Sequence, residues 1–329
     1  MKTAILGAGA MGCLVGAHLK MGGAEVYFID VNEAHMKAVA KDGLCMELEG
    51  EAKPRTVFVD GADVTGDKFG ACDVVIVLVK CYDTEAAIEA NKALFRKDTV
   101  VISLQNGVGG ADLAAKYFEP DHVGMGLLKS SGNLLSPGRI MGNPCFTDSP
   151  KGVYFAPAKP DSPYRSLYVE LEKRLCDGGM PAELYNNIEE IIWDKLCDNA
   201  MKNGASALLQ LSVEDITNNE DSIHVINQIA IEVCEVARAK GIALDAANYV
   251  KDSNDAAVYN RAAVKTHHYV SMVLDAYHKR RTEIDFINGA VVQEGKKYSI
   301  ATPYNEIIWR LVRTLQGNYD NRYAPRANP

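Results

Sequence analysis

Lys195, Asn199 and Asn203 stand four residues apart in the stretch from Trp193 to Asn203. At about 100° per helical residue, this spacing stacks one ammonium and two carboxamides on a single stripe, and Ser206 falls on it as well. Such a stripe can bind an oxyanion. The ammonium stabilises developing negative charge and can give up a proton, while the amides and the hydroxyl supply donors without adding charge. On the same wheel Asp194, Asp198 and Lys202 form a charged sector, and Trp193, Leu196, Cys197, Ala200, Gly204, Ala207 and Leu208 form an apolar one. The stripe lies between them; taken alone, it could equally be an extension of the solvated face.

A second chemical signal stands at the other end of the chain. Gly7-Ala8-Gly9-Ala10-Met11-Gly12 directly follows the run Thr3 to Leu6 and opens a helical pattern, the context in which GxGxxG marks a dinucleotide-binding (Rossmann) turn. Gly7 allows the tight turn, Gly9 lets the backbone approach a pyrophosphate, Gly12 lets helix and strand pack, and the helix N-terminus offers N–H groups to the anion. Asp30 ends the next apolar run. There a carboxylate either accepts from the adenosine ribose 2′-OH, which favours NAD(H) over NADP(H), or caps the helix that begins near Asn32. Lys37 is the nearest cation downstream. Lys80 and Gln105-Asn106-Gly107 each follow a later apolar run, at strand C-termini where open α/β sheets bind ligands; the alternatives are a surface lysine and an ordinary turn.

The elements that must position these residues alternate at first. Strands are expected at Thr3 to Leu6, Glu25 to Ile29, Val74 to Val79 and Thr99 to Leu104, with helices at 10–22 and 32–42, the pattern of a parallel sheet. Val74 to Val79 is apolar at every position, as a strand covered on both faces should be. Short β-like pieces lie near Cys45–Leu48 and Thr56–Val59. Residues 122–155 carry alternating β signals with Ser136-Pro137-Gly138 as a turn, and are expected to close the sheet. A helix at 162–176 and a strand at Ala182–Leu184 follow, then helix after helix. The expected architecture is an α/β Rossmann domain with a mainly parallel sheet (1–186), followed by an all-α substrate and dimerisation domain (187–329). The tail from Gly317 to Pro329 is polar and expected to be loosely held.

Bulk composition narrows the partners. The chain has 329 residues, 35 basic against 43 acidic, for a net charge of −8, so no basic surface recommends nucleic acid or anionic lipid, and a small molecule is expected instead. No run approaches the roughly 20 apolar residues of a membrane span, and the N-terminus shows no secretory signal, so a cytoplasmic protein is expected. Eight scattered cysteines without a CxxC pair suit free thiols, and no His/Cys cluster has metal-ligand spacing, so no metal is expected. Oligomeric state is not readable, although helical domains of this kind offer apolar faces on which a homodimer can form.

Taken together, GAGAMG at 7–12, Lys80, LQNGVG at 104–109, ExxxWxK at 189–195 with Asn199 and Asn203, and SMxxD with TEIDFING at 271–289 resemble the ketopantoate reductase (2-dehydropantoate 2-reductase) family over nearly the whole chain. The resemblance implies reduction of a branched 2-keto acid to the (R)-2-hydroxy acid with a nicotinamide cofactor. It implies Lys195 as catalytic lysine and Glu283 as active-site glutamate. By the same resemblance Asn199, Asn203 and Ser271 contact the substrate, and Lys80 and Asn106 the cofactor; the role of Asp275 is less defined. Thr282 reads as an N-cap that places Glu283 in a helical first turn, where capping alone is the other reading.

Three departures stand out. Family members in pantothenate synthesis commonly use NADPH and carry a basic residue near Asp30. Leu211-Ser212-Val213 stands where another substrate asparagine can occur, and His268 stands where an asparagine can precede Ser271. A rival reading is therefore an NAD-dependent (R)-2-hydroxy acid dehydrogenase acting on another bulky branched or aromatic 2-keto acid. From a different class comes a non-catalytic dinucleotide sensor, which would need Gly7 to Gly12 but has no use for Lys195 and Glu283.

Overall fold

The computed structural model describes residues 1–146, 149–262 and 267–321. By its contacts the chain divides into two units, Met1–Ile188 and a second that begins at Glu189.

The first unit is built on an eight-stranded sheet. Its members are β1 (Lys2–Leu6), β2 (Glu25–Ile29), β5 (Gly61–Asp63), β6 (Val74–Val77), β7 (Val100–Ser103), β8 (Val123–Leu128), β11 (Val153–Pro157) and β12 (Ala182–Leu184), in the order β12-β11-β8-β7-β6-β1-β2-β5. All neighbours are parallel except β8 and β11. Helices α1 (Ala10–Met21), α2 (Glu33–Asp42), α3 (Thr84–Ala90), α4 (Gly110–Ala114) and α5 (Arg165–Asp177) make the crossovers and flanks. Alternate residues serve two cores. Ile5, Phe28, Ile76 and Ile102 join the apolar cluster that includes Val15 of α1 and Leu175 of α5. Ala4, Leu6, Ile29, Val75, Val77 and Val101 join one with Ile88 of α3 and Ala114 of α4. With both faces covered, the central strands need the unbroken apolar runs seen in the sequence.

Residues 122–155 do more than close this sheet. Only β8 and β11 enter it. Between them, β9 (Ser131–Ser136) and β10 (Arg139–Asn143) pair with β3 (Leu44–Leu48) and β4 (Arg55–Val57) in a separate four-stranded sheet, order β4-β3-β10-β9. The β3–β10 pairing is parallel and joins segments more than ninety residues apart, as Leu48 opposite Gly142 illustrates. This small sheet packs on α1, with Leu44, Met46 and Ile140 fully buried in the shared core.

The second unit is helical: α6 (Glu189–Leu209), α7 (Val213–Ile216), α8 (Glu220–Lys240), α9 (Ala246–Ala262), α10 (Ser271–Tyr277), α11 (Asn288–Lys297) and α12 (Pro303–Gln316). α6 is central and packs against α8, α10 and α12. A buried polar chain locks the bundle. Glu232 of α8 accepts from the backbone N–H groups of Tyr304 and Asn305, so it caps α12, and it also accepts from Asn305 Nδ2 at 2.8 Å. Asn305 Oδ1 in turn accepts from Asn288 Nδ2, which also donates to the Ala200 carbonyl of α6. The bonds of Asn305 and Asn288 in this chain are buried, so losing a partner there would strand a buried polar group at a cost of about 1–3 kcal/mol.

The described part of the polar tail is held rather than loose. Tyr319 is buried and donates to the Arg280 carbonyl at 2.9 Å, and Lys279 pairs with Asp320 at 2.6 Å. The expectation for 322–329 lies outside the described residues. Among the described residues no helix is long and apolar enough to cross a membrane.

Candidate functional site

At the end of β1 the chain turns through Gly7 at φ +102°, a left-handed conformation that favours glycine. Gly7 N–H and Ala8 N–H both donate to the Ile29 carbonyl, at 2.9 and 3.0 Å. A Cβ on Gly7 would stand 2.2 Å from Val79 N, so the turn is pressed against the backbone leaving β6. Gly9 differs: a Cβ there would meet nothing within 4 Å. It is the N-cap of α1, with no side-chain cap over the first-turn N–H groups. An open backbone face beside uncapped helix donors fits a pyrophosphate.

Asp30 does not cap α2. Asn32 does, accepting from His35 N–H at 3.1 Å. One Asp30 oxygen takes the Asn32 N–H at 2.9 Å, which orients the carboxylate beyond β2. Lys37, the nearest downstream cation, is paired one turn back with Glu33 at 2.6 Å.

Lys80 and Asn106 leave β6 and β7 as neighbours, because Gln105 stitches the two loops together. Its buried amide donates to the Val79 carbonyl at 2.7 Å and to Thr84 Oγ1 at 2.8 Å, and its oxygen accepts from Ser103 Oγ. Cys81 Sγ also donates to the Asn106 carbonyl at 3.3 Å. The sequence places Gln105 in the same ligand-side loop as Asn106 but gives it no role of its own, its only signal being its place in the LQNG run. Ser130 was overlooked. It follows β8 at the same sheet edge, buried, with its Oγ unpartnered. Gln105→Ala should weaken NADH binding about tenfold and cost about 1–3 kcal/mol of stability, since it strands buried groups on three elements. Calorimetric titration of NADH checks it, and an unchanged Kd would remove Gln105 from the site.

In the second unit Lys195, Asn199, Asn203 and Ser206 all fall on α6, a single 21-residue helix. Lys195 and Asn199 are half-buried, Asn203 is 6% exposed, and Ser206 is fully enclosed with an unpartnered Oγ. The apolar sector is buried at Trp193, Leu196, Cys197, Ala200, Gly204 and Ala207. The charged sector is only partly solvated, because Asp194 accepts from Tyr249 of α9 at 2.7 Å. The stripe thus belongs to a packed face and is not a simple extension of the wet one.

Glu283 is 6% exposed, but the expected helix start is absent. Thr282 and Glu283 precede one 3-10 turn, Ile284–Phe286, and α11 begins only at Asn288. Thr282 Oγ1 accepts from Ile284 N–H while donating to Gln316 Oε1, so this segment is pinned to α12. It also meets α6. Gly204, next to Asn203, leaves room for Ile308 of α12, 2.3 Å from where a Cβ would stand, and lies beside Asn288 Oδ1 and Ile284 Cδ1, at 3.3 and 3.4 Å from the same point. Glu283 and the lower end of the stripe are thereby brought to one region of the bundle. Ser271 starts α10, which packs on α6, but it is exposed. Asp275 is buried and pairs with Arg280 at 3.0 Å, a fixture of the α10 end. His268 is exposed and held by its backbone to Glu214 and Val213.

A parallel-sheet unit with a glycine turn and an open backbone face, joined in one chain to a helical unit with a lysine–amide stripe, belongs to the nicotinamide-dependent oxidoreductases. Family models confirm this and are narrower. "Ketopantoate reductase PanE/ApbA" matches residues 3–155, and its C-terminal counterpart matches 187–316. The 2-dehydropantoate 2-reductase of Archaeoglobus fulgidus is 30% identical over 96% of this chain and 98% of its own, and that of Lactococcus lactis is 29% identical over the same shares. Among solved structures, a D-mandelate dehydrogenase with NADH and anilino(oxo)acetate superposes with a TM-score of 0.83 at 27% identity, covering 97% of this chain and 99% of that one. The chain belongs to the ketopantoate reductase family, and it is an oxidoreductase acting on a keto acid.

Proposed function

We propose that the protein reduces 2-dehydropantoate to (R)-pantoate, residues 1–186 binding the dinucleotide and 187–329 the keto acid. The bound nicotinamide supplies the hydride that reaches the keto carbon. Lys195 stabilises the charge that develops on the carbonyl oxygen and delivers the proton, so that C=O becomes CH–OH. Glu283 holds and charges the ammonium, and Asn199, Asn203 and Ser271 orient the substrate through neutral donors. Gly7, Ala8, Gly9, Ala10, Met11 and Gly12 cradle the pyrophosphate, with Asp30, Lys80 and Asn106 completing the cofactor side. The observation that carries this reading is the α6 stripe of half-buried Lys195 and Asn199 with buried Asn203, in a chain whose relatives are named for this reaction.

NADH is the cofactor we favour. Asp30 is aimed by the Asn32 N–H, so a 2′-phosphate would meet an anion there, and Lys37, the nearest downstream cation, pairs with Glu33. The neighbouring D-mandelate dehydrogenase was solved with NADH. We place the enzyme in the cytoplasm as a homodimer, an assembly supported by Ile307 and Leu311, exposed one turn apart on α12.

The test is turnover of ketopantoate, 2-ketoisocaproate and phenylpyruvate, each with NADH and NADPH. Ketopantoate with NADH should give the highest kcat/KM, by about tenfold or more over the other pairs, as one well-placed contact is worth. Absence of ketopantoate turnover with either cofactor would refute the assignment and leave a dehydrogenase for another bulky 2-keto acid.

A further inference from the structure

Beneath the glycine turn lies a buried histidine that the reaction does not use. His35 is the third residue of α2 and is fully enclosed. Gly138, in the turn between β9 and β10, donates its N–H to His35 Nδ1 at 2.8 Å. Nδ1 must therefore present a lone pair, and the proton of the neutral ring sits on Nε2. Nε2 lies 3.3 Å from Cys13 Sγ, and Cys13 Sγ donates to the Ala8 carbonyl at 3.1 Å. The bonds run in one direction: Gly138 amide to imidazole, imidazole to thiol, thiol to carbonyl. Gly138 is fixed from behind, since its own carbonyl accepts from Cys45 N–H of β3.

We propose that His35 is a positioning residue for the dinucleotide turn: its neutral ring braces the Ala8 carbonyl against the small four-stranded sheet and so holds the backbone around Gly9 in the form that receives the pyrophosphate. This rests on the reading of Gly7 to Gly12 as the cofactor site. A second proton on the ring would set an Nδ1–H against the Gly138 N–H, and the brace would open at its centre. The titratable groups facing the ring are Asp30, beyond β2, and Cys13 on α1; the small sheet meets it with the backbone of Gly138. Burial lowers the imidazole pKa from its usual value, with the Asp30 charge and then the hydrogen bond to the Ala8 backbone opposing. Burial and Asp30 push the Cys13 thiol well up, so its S–H is retained. The sign follows. A depressed pKa keeps the brace intact above the ordinary histidine range and loses it as pH falls through the depressed value.

The experiment is NADH titration of the full-length protein from about pH 8 down through the ordinary histidine range and on to the acid limit of folding, with thermal unfolding recorded at each pH. The wild-type Kd should rise about fivefold or more toward the acid end while the protein stays folded. His35→Asn keeps an acceptor where Nδ1 stands but cannot be protonated, so its Kd should be flat across the window, with KM for NADH changed and kcat preserved. His35→Gln, which keeps only the Nε2-side donor, should bind weakly at every pH. A pH-independent wild-type Kd overturns the role of His35, as does an Asn variant that parallels wild type or an affinity loss that merely tracks unfolding. No NADH binding by wild type at any pH overturns this proposal together with the cofactor reading beneath it.

Discussion

Lys195→Ala should lower kcat about 10³-fold, within the span of roughly 10² to 10⁴ that a positioned proton donor contributes, while the Kd for NADH stays within about twofold of wild type. The asymmetry arises from where the residue sits. Lys195 belongs to α6 in the helical unit, and the glycine turn with its uncapped donors belongs to the parallel-sheet unit. If Lys195 is the proton donor proposed, truncation removes the group that neutralises charge in the transition state and leaves ground-state cofactor contacts alone, the signature of an interaction made at the chemical step. Folding should persist, since alanine is the best helix former and Lys195 is only half-buried. Stopped-flow reduction of ketopantoate and calorimetric titration of NADH on the same preparation separate the two quantities. Turnover within about tenfold of wild type would show that another group delivers the proton.

How much of this was legible in the sequence depends on the reach of each interaction. The α6 stripe follows from helical periodicity alone. The parallel sheet follows from unbroken runs such as Val74 to Val77, which must be covered on both faces. The small sheet was hidden because β3 and β10 are each short, unremarkable β signals, and their pairing is decided by packing on α1 across more than ninety residues. The bracing role of Gln105 was hidden for the same reason: a glutamine becomes a brace only when Val79 and Thr84 arrive beside it. Nothing in the sequence marks His35 until Gly138 is brought to its ring. The Thr282 segment misled in the other direction. Its local capping signal is real, since Thr282 Oγ1 does accept from Ile284 N–H, but Thr282 is also tied to Gln316 of α12 through its N–H and hydroxyl, the turn it opens is a single 3-10 turn, and α11 begins only at Asn288. Local chemistry predicts a start, and tertiary contacts decide how far it propagates.

Two alanine substitutions in one turn should behave differently, and the contrast tests whether that turn is a binding surface. Gly7→Ala places a Cβ 2.2 Å from Val79 N and 2.5 Å from the Leu78 carbonyl carbon, both backbone, on a residue at φ +102°. No side chain can rotate away, so β1 and the strand exit from β6 must separate. Val79 N–H donates to the Leu6 carbonyl and the Val79 carbonyl accepts from Gln105, so the displacement carries Lys80 with it and loosens the Asn106 loop. The left-handed conformation alone costs about 1–2 kcal/mol for an L-residue, and with the backbone clash the loss should reach about 3–4 kcal/mol, an unusually severe single substitution. NADH affinity should fall about 100-fold, roughly 3 kcal/mol. Gly9→Ala meets nothing within 4 Å at an ordinary φ of −69°, so its stability should match wild type within about 1 kcal/mol. Its methyl group nevertheless occupies the open face over the first turn of α1, and NADH binding should fall about tenfold or more, the loss expected when backbone donors can no longer close on an anion. Denaturant unfolding and NADH titration on both variants give the four numbers. If Gly9→Ala binds NADH as wild type does, the pyrophosphate does not lie on that face, and the open space beside Gly9 is solvent rather than a cradle.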